Sequence, residues 1–591
     1  MQPKLLSSTK KNTFHRLLIF LLPYKKTFII GLLLTFISSI LNPIRPYWIQ
    51  SIIDNEIAAG NTSALRISIL GVAMLVILQA VLMYFQIVTT HTLGQNILND
   101  MRNTVFEHIL HLKVQYFDKT PIGILQTRTI SDIQTLNNIF SEGLVTIGGE
   151  FLQLITILIL MFITSWQLTL LVLAIIPLLV IAIYVFKKNV NEAFNRVRKY
   201  VAELNSYLQE HITGLTITQL FNKEKREAQN FDRINQLHQK AHIDTIYYYS
   251  IFFPVVEFMA ALALAIVVWH GTQEVLQENI TFGVLVAFLM YIQMFFRPIR
   301  MLADQFNALQ LGIVSAERIF KVLDTQDFIL DPQQPQNNPN LFHKPVSITF
   351  ENVTFGYNPL HPVLKNISFH VCAGTTTAIV GATGSGKTTI FNLIKRFYEI
   401  EQGKILIDNL PVQSYTQAEL HKAIGVVMQD VFLFSGSIYD NITLFNPHFS
   451  LSQVQKAAEI IGIHSFIMQL PQGYYFRVGE RGATLSAGQR QLIAFVRILL
   501  YNPKIILLDE ATANIDSQTE VLIQNALTQV LSHRTCIIIA HRLSTIQRAD
   551  QIIVMRKGEI VESGKHDELL QKNGYYKKLF MYQYASFSPT Y

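Results

Sequence analysis

The chain has 591 residues, of which 50% are hydrophobic and only 15% are charged, whereas soluble domains carry about 25% charged residues. This composition excludes a disordered chain and a wholly soluble enzyme, and it favours a membrane protein with an attached soluble part. Two cysteines exclude a disulfide scaffold, and we expect Cys372 and Cys536 to be free thiols in a reducing compartment. The net charge of +7 is concentrated in residues 1–26, which favours a cytoplasmic membrane flank over nucleic-acid binding.

Six apolar stretches are long enough to cross a bilayer as helices. They are residues 27–49, 68–90, 143–164, 168–186, 251–269 and 281–302. Residues 12–22 are predicted to form an interfacial helix within a cytoplasmic segment, 1–26. The first span is too long for a cleavable signal peptide, and a transit peptide remains the alternative for the basic start.

The loops between these spans differ in length and charge, which predicts their orientation. Residues 50–67, 165–167 and 270–280 are short and hold one basic residue, Arg66, so they are expected outside. The connections 91–142 and 187–250 are long and charged, so they are expected in the cytoplasm with both termini. Their apolar residues recur at helical spacing, which predicts helices that extend the spans into the cytosol.

Two breaks interrupt the predicted cytoplasmic helices, near 116–121 and near 213–214. Tyr116, Phe117 and Phe221 would be exposed there, which favours a docking role over an ordinary helical corner. Glu150 and Glu257 lie within the third and fifth spans. Each is a candidate substrate contact or proton-sensitive group, and an interfacial glutamate or a helix contact is an equally good interpretation.

A proline-rich stretch without apolar residues, 331–340, predicts a linker, placed at 324–346 between a membrane domain at 27–323 and a soluble domain at 347–591. Short β-type runs alternate with helical stretches beyond it. We predict an α/β domain with a largely parallel sheet, attached to a helical membrane domain with long cytoplasmic extensions.

A phosphate-binding loop follows the predicted strand Thr376–Val380, because the sequence fits G-x-x-x-x-G-K-[ST]. Its glycines allow backbone amides to surround phosphates at the start of a helix. The candidate nucleotide-binding residues are Gly381, Ala382, Thr383, Gly384, Ser385, Gly386, Lys387, Thr388 and Thr389. A second apolar strand, Ile505–Leu508, ends at Asp509 and Glu510. Asp509 suits the Mg²⁺ shell, and Glu510 suits polarisation of the attacking water.

Another predicted helix begins with a small, hydroxyl-bearing segment suited to an anion: Leu485, Ser486, Ala487, Gly488 and Gln489. The phosphate loop already has its own helix, so this second helix is expected to contact a nucleotide bound to another subunit. This order of motifs resembles the ATP-binding cassette transporters, and specifically the half-transporter exporters of the MdlB type. The resemblance covers residues 12 to about 582 and implies a P-loop NTPase domain behind six membrane helices.

The resemblance implies further site residues, together with ATP and Mg²⁺. Tyr357 would stack on adenine, Gln429 would be the Q-loop residue, Asp516 the D-loop residue and His541 the switch histidine. Ser486 and Gly488 would contact the γ-phosphate, while Thr388, Gln429 and Asp509 would hold Mg²⁺. The segments near 116–121 and 214–221 resemble the coupling helices of the family.

Two departures from the family pattern affect the expected partner. Ala487 stands where a second glycine is usual, and the segment 513–516 (Ala-Asn-Ile-Asp) differs from the commoner small-residue version. We therefore expect an obligate dimer, with a heterodimer favoured over a homodimer. The implied function is ATP-driven export of drugs, lipids or peptides across a bacterial plasma membrane. A siderophore-type importer and a nucleotide-gated regulator or channel are the alternatives.

Overall fold

A computed structural model describes residues 13–336, 340–509, 517–540 and 542–584. The chain divides into two compact units. The first contains residues 1–111 and 120–326, and the second contains residues 112–119 and 327–591. Residues 112–119, at the first predicted break, therefore group with the unit that carries the phosphate loop.

The part of the chain up to residue 326 is helical. Its helices are α1 (Thr13–Leu21), α2 (Lys25–Ile52), α3 (Thr62–Leu110), α4 (Val114–Lys119), α5 (Ile122–Thr127), α6 (Ile133–Thr135), α7 (Leu144–Thr164), α8 (Trp166–Leu173), α9 (Ile176–Thr213), α10 (Leu215–Leu220), α11 (Glu224–Leu276) and α12 (Phe282–Leu323). Three π-helical segments adjoin them, at Ile53–Ile57, Arg128–Asp132 and Asn138–Gly143.

The helical membrane domain is confirmed. Within the described residues, five helical stretches are long and apolar enough to cross a membrane, and α12 contributes a shorter apolar stretch, Phe282–Pro298. The predicted span 168–186 is not one continuous helix, because α8 ends at Leu173 and α9 begins at Ile176. Pro177 stands at the first turn of α9, where a proline is tolerated because that turn needs no backbone N–H donor.

Close backbone contacts set the packing of the membrane unit. The Ser39 hydroxyl donates to the Gly149 carbonyl at 2.9 Å, and a side chain at Gly149 would collide with Thr35. These contacts join α2 to α7. The Tyr291 hydroxyl of α12 donates to the Pro43 carbonyl of α2 at 3.2 Å.

The second unit contains an antiparallel sheet and a larger mixed sheet. Its strands are β1 (Ile348–Phe355), β2 (Leu364–Val371), β3 (Thr376–Gly381), β4 (Gln402–Ile407), β5 (Leu410–Pro411), β6 (Ile424–Val427), β7 (Gly436–Ser437), β8 (Arg477–Val478), β9 (Ile505–Asp509), β10 (Thr535–Ile539), β11 (Gln551–Arg556) and β12 (Glu559–Gly564). Its helices are α13 (Asn340–His343), α14 (Lys387–Ile394), α15 (Gln417–Ala423), α16 (Ile438–Thr443), α17 (Leu451–Ile461), α18 (His464–Gln469), α19 (Ala487–Tyr501), α20 (Ser517–Leu531), α21 (Leu543–Gln547), α22 (His566–Gln571) and α23 (Tyr575–Tyr584).

The larger sheet has the strand order β12-β11-β3-β10-β9-β6. Strands β11, β3, β10, β9 and β6 run parallel, and β12 is antiparallel to β11. The strands β3, β9 and β10 are buried almost throughout, as expected for a parallel sheet covered on both faces. Because these strands are parallel, the residues that follow β3, β6, β9 and β10 lie at one edge of the sheet. The predicted α/β fold is confirmed.

Both cysteines are free, as predicted. Cys372 is exposed and Cys536 is buried in β10. Burial raises the pKa of the Cys536 thiol to about 12, so this side chain is a neutral, buried thiol at physiological pH.

Candidate nucleotide site

The phosphate loop connects β3 to α14 through three glycines with positive φ. Gly381, Gly384 and Gly386 have φ angles of 159°, 79° and 100°. A β-carbon at Gly381 would lie 2.4 Å from the Met555 carbonyl oxygen, and one at Gly386 would lie 2.7 Å from Leu364. The loop therefore needs glycine both for its backbone conformation and because the Met555 backbone and the Leu364 side chain leave no room for a β-carbon.

Lys387, the first residue of α14, is buried over this loop. Its Nζ donates to the carbonyl oxygens of Gly381 at 2.8 Å and Ala382 at 3.0 Å. Burial lowers the pKa of Lys387 below its ordinary value, and the Asp509 carboxylate partly opposes this. A buried cation at a helix N-terminus is suited to the charge of a phosphate group.

The hydroxyl of Ser385 supports the same interpretation. Its Oγ is buried and has no hydrogen-bond partner among the described residues. A buried hydroxyl without a partner is costly in a folded protein. A phosphate oxygen in the loop would supply the missing partner, so the residues present fit a bound nucleotide.

The oxygen donors predicted for Mg²⁺ follow neighbouring strands of the sheet. Asp509 ends β9 beside β10, and Gln429 is exposed two residues after the end of β6. Thr388 follows Lys387 in the first turn of α14. Carboxylate, amide and hydroxyl oxygens are the donors that Mg²⁺ prefers, so this set is chemically suitable. Glu510, Asp516 and His541 lie outside the described residues.

The predicted adenine-stacking residue, Tyr357, presents part of its ring to solvent and is 39% exposed. Its hydroxyl donates to Thr389 Oγ1 at 3.3 Å and accepts from Asn392 Nδ2 at 3.2 Å, which ties it to α14. The ring also packs edge-on against Phe355 and Tyr398, with centroid distances of 5.3 and 5.0 Å. A ring held in this way offers an oriented surface for a base.

Tyr398 was not predicted as a site residue. It is buried, and its hydroxyl donates to the Asp118 carboxylate of α4. Burial, followed by this hydrogen bond, raises the pKa of Tyr398 above its ordinary value. No motif marks Tyr398, because its partners become neighbours only through the fold. The contact connects the predicted docking segment to the residue that supports Tyr357.

The predicted signature segment forms the N-terminus of α19. Ser486 Oγ accepts from the Gln489 backbone N–H at 3.2 Å, while Gln489 Oε1 accepts from the Ser486 N–H at 2.9 Å. This reciprocal capping box fixes the first turn of the helix. Leu485 and Gly488 are buried, whereas Ser486 and Ala487 are exposed. The hydroxyl and the additional methyl group therefore lie on the accessible side of the helix end.

Comparison with known proteins finds two family models in this chain, an ABC transporter transmembrane region at residues 28–299 and an ABC transporter domain at residues 364–513. The chain is 38% identical to the uncharacterized ABC transporter ATP-binding protein YknV of Bacillus subtilis (strain 168), over 97% of this chain and 94% of that protein. It is 32% identical to an ATP-dependent lipid A-core flippase of Syntrophus aciditrophicus (strain SB), over 97% and 95% of the two chains.

A solved structure, that of a bacterial Atm1-family ABC exporter with ATP bound, matches the fold with a TM-score of 0.79. It shares 26% sequence identity with this chain, and the match covers 95% of this chain and 99% of the other. The helical membrane domain, the ATPase domain and their fusion in one polypeptide thus agree across independent comparisons. The chain therefore belongs to the ATP-binding cassette transporters, as a half-transporter of the exporter type with its own ATPase domain.

Proposed function

We propose that this half-transporter moves hydrophobic or amphipathic substrates outward across a bacterial plasma membrane, by alternating access driven by ATP. The observation that carries the proposal is the phosphate loop, with buried Lys387 and a buried Ser385 hydroxyl that has no hydrogen-bond partner among the described residues, in a chain that also has several helices long enough to span a membrane. The short, weakly charged loops 50–67, 165–167 and 270–280 are expected outside, where they offer little surface to a separate binding protein. Both termini would then lie in the cytoplasm.

The residues at the sheet edge suggest how ATP would be held and hydrolysed. Tyr357 would stack on the base, while the amides of 381–386 and the Lys387 ammonium would bind the phosphates. Thr388, Gln429 and Asp509 would hold Mg²⁺, which would supply charge neutralisation at the β and γ phosphates. Glu510 would orient and polarise the attacking water, and His541 would contact the γ-phosphate and hold that water.

The signature segment would complete the site of a second subunit. Ser486 and Gly488 at the start of α19 would contact the γ-phosphate bound by the partner, with Leu485, Ala487 and Gln489 shaping that surface and Asp516 adjoining it. The additional methyl of Ala487 and the unusual segment 513–516 favour a heterodimer. The exposed apolar residues Leu220, at the end of α10, and Phe221, directly after it, suit docking on the partner chain.

Closure of two such nucleotide domains would provide the free energy for transport. Moving a two-state equilibrium from 1:99 to 99:1 needs a preference of about 5.5 kcal/mol, which two bound triphosphates can supply. Hydrolysis would then release the closed state and return the membrane helices to their starting arrangement.

ATP hydrolysis and transport in proteoliposomes test this proposal, with the full-length protein purified together with its second half-transporter where the natural dimer contains one. We expect Mg²⁺-dependent ATP hydrolysis, and we expect Glu510→Gln to reduce it by about 100-fold or more, because positioned acid–base groups contribute about that much. Glu459→Gln, an exposed acid in α17, is the matched control and should keep the wild-type rate. Normal turnover by the Glu510→Gln protein would show that another group polarises the water.

A further inference from the structure

Three polar residues of the membrane unit lie at one depth. Ser38 lies about 21 Å along its helix from the end of α2 at Ile52, and Glu150 lies about 21 Å from the end of α7 at Thr164. Arg297 lies about 22 Å from the start of α12 at Phe282. In the proposed topology all three helix ends face outward, so the three side chains share a level well inside a hydrocarbon core of about 30 Å.

The contacts between these helices give the same register independently. The Ser39 hydroxyl donates to the Gly149 carbonyl at 2.9 Å, so the residues next to Ser38 and Glu150 touch. Helices α2 and α12 run antiparallel, since the Gly283 N–H donates to Asp54 at 2.8 Å and the Tyr291 hydroxyl donates to the Pro43 carbonyl at 3.2 Å. Arg297 lies about one and a half turns after Tyr291 in α12, and Ser38 lies a similar distance before Pro43 in α2. The antiparallel pairing therefore brings Arg297 level with Ser38.

These side chains make no hydrogen bond or ion pair within the part of the chain that the structure describes. Glu150 and Arg297 make no hydrogen bond or ion pair there, and the Ser38 Oγ is buried without a partner. Arg297 is exposed and Glu150 is half-buried. Charged groups at this depth are too costly to face lipid tails, so they face a water-filled cavity or a polar ligand.

The two charges also act on each other. The positive charge of Arg297 acts on the Glu150 carboxylate, although the two groups do not form an ion pair. A singly charged headgroup between them would be attracted by one residue and repelled by the other. A headgroup that carries both charges would satisfy the two residues together.

We propose that Ser38, Glu150 and Arg297 form a binding site for amphiphiles with a zwitterionic headgroup. The anionic group of the ligand, a phosphate or carboxylate, pairs with the Arg297 guanidinium, and its ammonium group pairs with the Glu150 carboxylate. The Ser38 hydroxyl donates to the anionic group. This site rests on the proposed function and gives it a substrate class.

Lipid movement by the purified full-length transporter in proteoliposomes tests the site. The probes are phosphatidylcholine, phosphatidylglycerol and a cationic lipid, with the same acyl chains and the same fluorescent acyl label. Wild-type protein is expected to move phosphatidylcholine fastest, in an ATP-dependent manner. Glu150→Gln should shift the preference towards phosphatidylglycerol by about tenfold, and Arg297→Gln should shift it towards the cationic lipid by about as much, a change of about 1.4 kcal/mol.

Glu203→Gln removes an exposed acid from the part of α9 beyond the predicted span 168–186 and is the matched control, so it should leave the headgroup preference unchanged. ATP hydrolysis is measured on the same vesicles, which separates the two proposals. A transporter that hydrolyses ATP but moves the three lipids equally, or moves none of them, would overturn the headgroup site while leaving ATP-driven transport standing. The site is also wrong if both Gln variants shift the preference in the same direction. Vesicles without Mg²⁺-dependent ATP hydrolysis would instead contradict the proposed function.

Discussion

The Tyr398 side chain contacts two parts of the chain that lie far apart in the sequence, α4 and Tyr357. Its hydroxyl donates to Asp118 of α4, and its ring supports Tyr357 edge-on at a centroid distance of 5.0 Å. Hydrogen bonds to charged groups contribute about 1.5–3 kcal/mol, more than neutral ones. The position of α4 and the orientation of the Tyr357 ring, which we propose to stack on adenine, are therefore energetically linked through one tyrosine.

We expect Tyr398→Phe and Asp118→Ala to reduce the transport rate by about tenfold, because each removes a charge-assisted hydrogen bond worth roughly 1.5 kcal/mol. The double variant should be no worse than either single variant, since both changes remove the same contact. Transport rates of the four proteins in proteoliposomes measure this. Additive losses would contradict the coupling. Tyr475→Phe, an exposed tyrosine of the same unit, is the control.

At the residue scale, the sequence predicts a site residue where a local motif carries the chemistry. Lys387 and Ser385 are identified by the phosphate-loop pattern, and both side chains are buried where the loop meets α14. Asp118 and Tyr398 are 280 positions apart, and their contact is set by the fold alone. No periodicity or spacing in the chain marks such a pair.

In α19, one residue, Ser486, both caps the helix and belongs to the proposed signature segment. Ser486 caps the helix through the Gln489 N–H, and the same hydroxyl is exposed at the end of the helix. Loss of an N-cap hydroxyl costs about 1 kcal/mol of stability. A second helix, α17, has the same capping box at Ser450 and Gln453 but carries no signature motif. Comparing Ser486 with Ser450 therefore separates the capping role of the hydroxyl from its proposed role at the nucleotide.

We expect Ser486→Ala and Ser450→Ala to destabilise the nucleotide domain by a similar amount, about 1 kcal/mol each, because both remove a capping-box hydroxyl. Only Ser486→Ala should strongly reduce ATP hydrolysis, by about 10-fold or more, since it also removes a hydrogen bond to the phosphate of the partner site. Thermal unfolding and hydrolysis rates measured on both variants check this. Equal hydrolysis rates would assign Ser486 a capping role alone.

At the scale of elements, apolar length predicts the membrane helices well but predicts their interruptions poorly. Helices α3 and α11 continue beyond their spans, as the helical spacing in the connections 91–142 and 187–250 predicted. The break between α8 and α9 lies inside an uninterrupted apolar run. The π-helical segment Arg128–Asp132 depends on tertiary contacts: Asp132 accepts from Ser315 of α12 at 3.2 Å and pairs with Arg128. Contacts with a distant helix override the local pattern there.

At the scale of the whole molecule, the phosphate loop and the proposed signature segment lie at the N-termini of two different helices, α14 and α19. The phosphate loop has its own helix, α14, whose first residue, Lys387, is already directed at the loop. The capped start of α19 exposes Ser486 as a second anion-binding end. The phosphate loop of the same chain does not need the start of α19, so we propose that this helix end completes the nucleotide site of another subunit. In this proposal each nucleotide site is complete only in a dimer.

Mixed dimers test this arrangement. A protomer with Lys387→Ala and a protomer with Ser486→Ala each have two damaged sites when paired with themselves. If the signature acts on the partner, a mixed dimer combines the intact Lys387 of one chain with the intact Ser486 of the other, and one complete site results.

We expect co-expression of the two variants, purified through two different affinity tags, to restore ATP hydrolysis well above either variant alone. If the signature served its own loop, every protomer would remain damaged and mixing would restore nothing. Where the natural dimer contains a different second chain, the same two substitutions are distributed between the two chains, and the expected difference is the same.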